Sequence, residues 1–149
     1  MEIRVATKED VPILVELGAL FIEESPVYQS RGYVHELAAD HFTNLIMNSG
    51  VILVVEHNGV ICGGFAGAIG KDWFNGKRIA YDHVLYVKPE YRKSRAAYML
   101  IDAFINWARL MNADFIQCGT TTGVESQACI RLYKHFGFHE FGTVLEMKV

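Results

Sequence analysis

Residues 81–97 read Y-D-H-V-L-Y-V-K-P-E-Y-R-K-S-R-A-A. The first half belongs to a β-rich run, Arg78–Val87, that halts at Pro89. A short basic turn of small residues follows, and a long amphipathic helix opens from Ser94 or Arg95 and runs to Met111. In that helix Ala97, Leu100, Ile101, Phe104, Ala108 and Met111 share one stripe, while Asp102, Asn106 and Arg109 face away. A strand, a turn and a helix in this order put backbone N–H groups and cationic side chains at a helix N-terminus. Such a junction suits a phosphate.

Working outward, Phe115–Gly119 reads as the next strand, so Arg78–Gly119 forms a strand–helix–strand unit with parallel strands. Glu125–His135 reads as a helix stopped by Gly137, and His139–Lys148 as a final strand. Upstream, Val51–Glu56 and Val60–Ile69 are β-rich runs around His57-Asn58-Gly59, a hairpin signal. Ile3–Ala6 reads as a first strand. Thr7 and Asp10 resemble a capping box, and a helix follows with Val11, Leu14, Gly18 and Phe21 on one face, ending near Glu24 before Pro26. Tyr33 to about Asn48 reads as a second helix. The expected architecture is α/β of the mixed kind: a central mixed sheet of six or so strands flanked by four helices, in one domain over residues 1–149.

Composition narrows the function. With 51% hydrophobic and 21% charged residues the chain can bury a sizeable core. A net charge of −3 gives no footprint for nucleic acid, so an anionic ligand relies on a local basic patch. Cys62, Cys118 and Cys129 cannot all pair within the chain and lack metal-type spacing; they read as buried small hydrophobes in a reducing compartment. His135 and His139 have H-x-x-x-H spacing, but Gly137 breaks the helix between them, so no metal is expected. No apolar run reaches the roughly 20 residues that span a bilayer, and a cytoplasmic protein without membrane partners is expected.

Two motifs carry a family resemblance. Arg92-Lys93-Ser94-Arg95-Ala96-Ala97 stands where a pyrophosphate turn Q/R-x-x-G-x-G/A is sought, matching at Arg92 and Ala97 and carrying Arg95 in place of the middle glycine. Ser126–Phe138 follows N-x-x-A-x-x-L-Y-x-x-x-G-F, matching at Leu132-Tyr133 and Gly137-Phe138, with Ser126 for Asn and Cys129 for Ala. With the element order, nearly the whole chain resembles the GCN5-related N-acetyltransferase (GNAT) superfamily. The resemblance implies acetyl-CoA as acyl donor and coenzyme A contacts at Leu85, Tyr86 and Val87 (backbone pairing with pantetheine), at Arg92, Lys93, Ser94, Arg95, Ala96 and Ala97, and at Ser126. It places Tyr133 where the family protonates the leaving thiolate.

For the base, plain alternation puts Tyr81, His83, Leu85 and Val87 on one strand face and Asp82 and Val84 on the other. His83 then lies in the mouth of the site, at an offset similar to that of a histidine in arylalkylamine acetyltransferases, and an imidazole near pKa 6.5 suits an ammonium proton. Asp82 is the weaker candidate unless a bulge changes the register. Glu23 and Glu24 are candidates to attract a cationic amine; Tyr28, Tyr33, Trp73 and Phe74 are candidates to wall its pocket. The expected activity is acetyl transfer from acetyl-CoA to a primary amine by direct attack in a ternary complex. The alternatives are a non-catalytic module that keeps the fold for binding or structure, and a protein lysine or N-terminal acetyltransferase. A small amine or a protein amine is the expected partner, and a homodimer is compatible with the final strand.

Overall fold

The computed structural model describes residues 1–149. Five strands, β1 (Glu2–Val5), β2 (Gly50–His57), β3 (Val60–Lys71), β4 (Arg78–Val87) and β5 (Phe115–Gln117), lie side by side in chain order. The first four pair antiparallel and β4–β5 parallel, so the sheet is mixed. Four helices flank it: α1 (Val11–Glu24), α2 (His35–Met47), α3 (Ala96–Leu110) and α4 (Ser126–His135). Asn58 and Gly59 close the β2–β3 hairpin with φ of 52° and 77°, the positive pair that matches strand twist.

Two apolar layers cover the sheet. On one side Leu100, Ile101 and Phe104 of α3 pack on Val51, Leu53, Val55 and Phe65; on the other, Leu14 and Leu17 of α1 and Leu45 of α2 pack on Ile52, Val54 and Ala66. β2 feeds both layers alternately, which is why its sequence is an unbroken apolar run. Phe65 and Phe104 stack with centroids 4.2 Å apart. A Cβ on Gly67 would sit 2.5 Å from the Phe104 ring and 2.8 Å from the Tyr81 carbonyl oxygen, so this position needs glycine for close approach.

The Thr7–Asp10 cap forms: the Asp10 carboxylate accepts the Thr7 N–H at 2.7 Å. It also holds the Arg4 guanidinium through two bonds of 2.7 and 2.9 Å, which draws its pKa down to about 2. One expected element is missing. Residues 139–149 form no strand and are exposed throughout. β5 offers only three paired residues as an edge, and β propensity without a neighbouring edge does not make a strand.

Candidate active site

β4 is the strand on which the site is built, and two irregularities shape it. Its pairing with β5 covers only Ile79–Phe115, Ala80–Ile116 and Tyr81–Gln117. Beyond Tyr81 the strands part, while β4 continues to Val87. The second irregularity lies on the opposite edge. Asp82 faces Gly67 and Val84 faces Ala66, so His83 has no residue across from it: a β-bulge.

The bulge overturns the expected alternation. Leu85 and Val87 belong to the α3 side. His83 is on the α2 side, where its Nδ1 lies 2.9 Å from Nε2 of His41 and its ring stacks on Tyr81 at 5.2 Å. The extra residue shifts everything before it by one place, so Tyr81 and His83 leave the Leu85–Val87 face and Asp82 enters the opposite environment from the one parity gave it. Burial, with the neighbouring His41, pulls the His83 imidazole below its ordinary value.

Asp82 turns toward Cys118 and Tyr133, at the point where β4 and β5 part. Its carboxylate accepts the Gly119 N–H at 3.2 Å. Burial pushes the acid up to about 6, against that amide bond. The Tyr133 hydroxyl is fully enclosed and lies beside the Cys118 thiol without a well-formed hydrogen bond. Burial, and then the neighbouring Cys118 and Asp82, push this phenol well above its ordinary range, so it stays protonated with a hydrogen to donate. Burial likewise keeps the Cys118 and Cys129 thiols protonated, which disfavours a covalent acyl-cysteine.

The open side of β4 carries free backbone groups. Lys88 N–H bonds to the Cys62 carbonyl, so Lys88–Cys62 is a hydrogen-bonded pair of the antiparallel ladder. Bonded pairs alternate, so Tyr86 pairs with Gly64 and the backbones of Leu85 and Val87 point away from β3, into the gap. Of the three residues expected to meet pantetheine, Leu85 presents its main chain and Val87 its N–H, the Val87 carbonyl being taken by Arg92; Tyr86 spends its main chain on β3 and buries its ring under α1 beside Phe21.

In the turn before α3, alternate amides are free. Arg92 N–H bonds to Pro89, Ser94 N–H to Tyr91, and Ala96 N–H to the Ser94 hydroxyl. The amides of Lys93, Arg95 and Ala97 find no acceptor in the chain, and they head the α3 dipole. Arg95 has φ −82° and ψ 3°, a backbone that any residue adopts, so no glycine is needed there. Its guanidinium lies over the Tyr98 ring at 5.7 Å, along the helix surface. Arg92 differs from expectation. Its Nε donates to the Val87 carbonyl at 2.9 Å and its terminal nitrogen pairs with Glu24, so its side chain ties the turn to α1 instead of reaching for a phosphate. Ser126 opens α4 directly after Glu125, whose φ is 49°.

Two loops that sequence reasoning left apart meet near the α1 end. The Ser25 hydroxyl, fully buried, donates to the Thr122 carbonyl at 2.6 Å, and Tyr28 bonds Thr121 at 2.5 Å. Gly123 packs so tightly on Pro26 that a Cβ would come within 2.8 Å. Glu23 and Glu90 line a cleft of about 510 Å³ with Leu20, Tyr86 and Lys88; Glu24 lines it too but is spent on Arg92. Tyr33 does not wall an open pocket: its hydroxyl donates to the Val15 carbonyl over Gly18. Trp73 is 93% exposed and sets its ring edge-to-face with Phe74, in the β3–β4 turn. No group of three or more His, Cys, Asp or Glu side chains is placed to hold a metal, and no helix is long and apolar enough to cross a membrane.

The family model described as acetyltransferase (GNAT) family matches residues 14–138. No curated protein matches the chain. Among solved structures, a predicted acetyltransferase with acetyl-CoA from Clostridium acetobutylicum is 22% identical, with a TM-score of 0.77 over 99% of this chain and 95% of that one. AAC(6')-Iy, in complex with the bisubstrate analog CoA-S-monomethyl-acetylneamine, is 18% identical, with a TM-score of 0.76 over 99% and 97%. An aminoglycoside acetyltransferase from an uncultured soil metagenomic sample is 20% identical, with a TM-score of 0.75 over 99% and 97%. These likenesses are of fold.

Proposed function

Because the chain belongs to the acetyltransferase (GNAT) family, we propose that it moves an acetyl group from acetyl-CoA to a small primary amine by direct attack in a ternary complex. The observation that carries this reading is the Tyr133 hydroxyl, enclosed and unpartnered where β4 and β5 part. A buried hydroxyl without a bond costs about 1–3 kcal/mol. A ligand atom that accepts its proton would relieve that cost, and a thioester sulfur in the gap is such an atom.

The donor would lie along the free Leu85 main chain and the Val87 N–H, with its pyrophosphate on the Lys93, Arg95 and Ala97 amides. Neither Arg95's backbone nor its side chain, drawn off over Tyr98, obstructs that turn. His83 takes a proton from the ammonium, on the opposite side of the sheet from Asp82 and Tyr133. The freed amine lone pair attacks the thioester carbonyl carbon, the C–S bond breaks, and the nitrogen, cationic after attack, passes its second proton to the departing thiolate as the amide forms. The leaving thiolate accepts the Tyr133 hydrogen bond. Tyr133 contributes by hydrogen-bonding the charge as it develops and keeps its own proton, because burial holds the phenol well above its ordinary range. A cationic acceptor is supported by the glutamates around the cleft at Leu20 and Lys88 and by the net charge of −3. The neighbour bound to a neamine bisubstrate analog makes small polyamines the first class to test.

Calorimetry with acetyl-CoA should give micromolar binding; absence of binding would favour a binding or structural module. Turnover is followed as thiol release over arylalkylamines, polyamines, aminoglycosides and a lysine peptide. Tyr133→Phe should lower kcat by roughly 100-fold with acetyl-CoA affinity retained and Tm no lower than wild type. A fully active variant would remove Tyr133 from the reaction.

A further inference from the structure

His41 lies on α2 and belongs to no motif of the sequence, yet it makes the one side-chain hydrogen bond that His83 has. The two rings meet edge to edge, with centroids 4.8 Å apart and planes 29° apart, and a face of His83 is stacked by Tyr81. His83 is therefore held from α2 and from its own strand, at the bulge that turned it there.

The bond joins His41 Nε2 to His83 Nδ1, and one ring must donate. Suppose His41 donates. His83 then carries its own proton on Nε2, and gaining a second one at Nδ1 would break the bond. Suppose instead that His83 donates from Nδ1. Its Nε2 lone pair is then free, and the imidazolium formed on gaining a proton keeps the same bond, now charge-assisted. The forming cation also lies against the face of Tyr81. Only the second arrangement lets His83 gain a proton without rearranging.

We propose that His41 is a positioning residue for this base: its Nε2 accepts the His83 Nδ1–H and leaves the His83 Nε2 lone pair free for the ammonium proton of the acceptor. This rests on His83 as the base. The proton leaves the ammonium nitrogen for His83 Nε2, the amine keeps its electron pair, and the imidazolium later loses that proton to solvent. His41 only accepts in this arrangement and takes no part in the proton transfer. It differs from a carboxylate partner, which would raise the basicity of His83 by its charge.

The test reads tautomers directly. Long-range proton–nitrogen correlation on histidine-labelled protein, above the titration of His83, should show a pyrrole-type Nδ1 and a pyridine-type Nε2 in His83. His41→Phe keeps a ring at this exposed site but removes the acceptor. It should return His83 to the Nε2–H form and lower kcat by roughly 10–100-fold with KM for acetyl-CoA unchanged. His41→Gln, whose amide oxygen still accepts, should recover part of both. A wild-type His83 in the Nε2–H form, or a His41→Phe variant with the wild-type tautomer and turnover, would overturn the proposal. His83→Gln separates the two readings. If it is inactive while the tautomer is wrong, the base stands and His41 falls; if it is fully active, His83 is not the base whatever its tautomer.

Discussion

Asp82→Asn should make this protein more stable at neutral pH, although it removes a charged group from the centre of the candidate site. Burial raises the Asp82 carboxyl from 3.8 to about 6. Below pH 3.8 the acid is neutral in both folded and unfolded chains and costs nothing. Between 3.8 and about 6 the unfolded chain ionises while the folded one holds its proton, so stability falls as pH rises. Above about 6 the folded chain also ionises and the full penalty is present. At about 1.4 kcal/mol per pH unit, that interval amounts to about 3 kcal/mol. Asparagine keeps an oxygen to accept the Gly119 N–H and carries no charge to desolvate. Urea unfolding at several pH values between 4 and 8 should show the variant level with wild type at the acid end. It should gain steadily to about 3 kcal/mol near pH 7.5, with unchanged m-values. A variant that is less stable than wild type at pH 7.5, or a difference independent of pH, would refute the reasoning. The same protein separates the two groups that titrate below neutrality. If the acidic limb of the rate profile belongs to His83, it survives in Asp82→Asn.

Two further variants test the frame of the site. Gly67→Ala drives a methyl group into the Phe104 ring and the Tyr81 carbonyl opposite the bulge; it should cost about 1–3 kcal/mol in urea unfolding, and an unchanged midpoint would show that the Phe65–Phe104 stack yields freely. Arg95→Gly restores the family glycine where the backbone already sits at φ −82°. Calorimetry should find its acetyl-CoA affinity within about threefold of wild type, under 1 kcal/mol, and a tenfold gain would mean that the arginine does obstruct the turn.

Much of the fold was legible because it follows from periods and punctuation. The α3 stripe, the Asn58-Gly59 hairpin, the stop of α1 near Pro26 and the β4–α3–β5 unit are all local signals, and each is present. The site was less legible, for a specific reason. Alternation along β4 predicts faces only if no residue is inserted, and the insertion at His83 is visible only across the ladder, against Ala66 and Gly67. Asp82, set aside by parity, is for that reason on the Tyr133 side of the sheet. Gly67, with no room for a side chain, was the one trace of the bulge in the sequence, and it was ambiguous among several strand glycines. The Ser25–Thr122 and Tyr28–Thr121 bonds join residues more than ninety positions apart, which no local pattern reports. Arg92 was read as a phosphate ligand from its charge; its partner Glu24 lies 68 positions upstream. The strand expected over 139–148 had propensity but only the three-residue edge of β5 to join.

The bulge does more than turn one histidine. On a regular strand, His83 and the Leu85–Val87 main chain would serve one compartment, and a base that takes a proton would sit among the groups that bind the acyl donor. One inserted residue sends His83 and Tyr81 toward α2, and leaves Asp82, Leu85 and Val87 with Tyr133 and α3. Under the proposed reaction, the group that removes a proton and the group that bonds the leaving sulfur then face different sides of one strand. Their environments are separated as well. His83 is partly open to water and paired with the His41 ring, whereas Tyr133 is enclosed with a protonated thiol and a high-pKa acid. The base can exchange its proton with solvent while the donor side stays dry, where a single hydrogen bond to a developing thiolate counts for most. Gly67 allows this arrangement, because only a residue without a side chain fits between the bulge and Phe104.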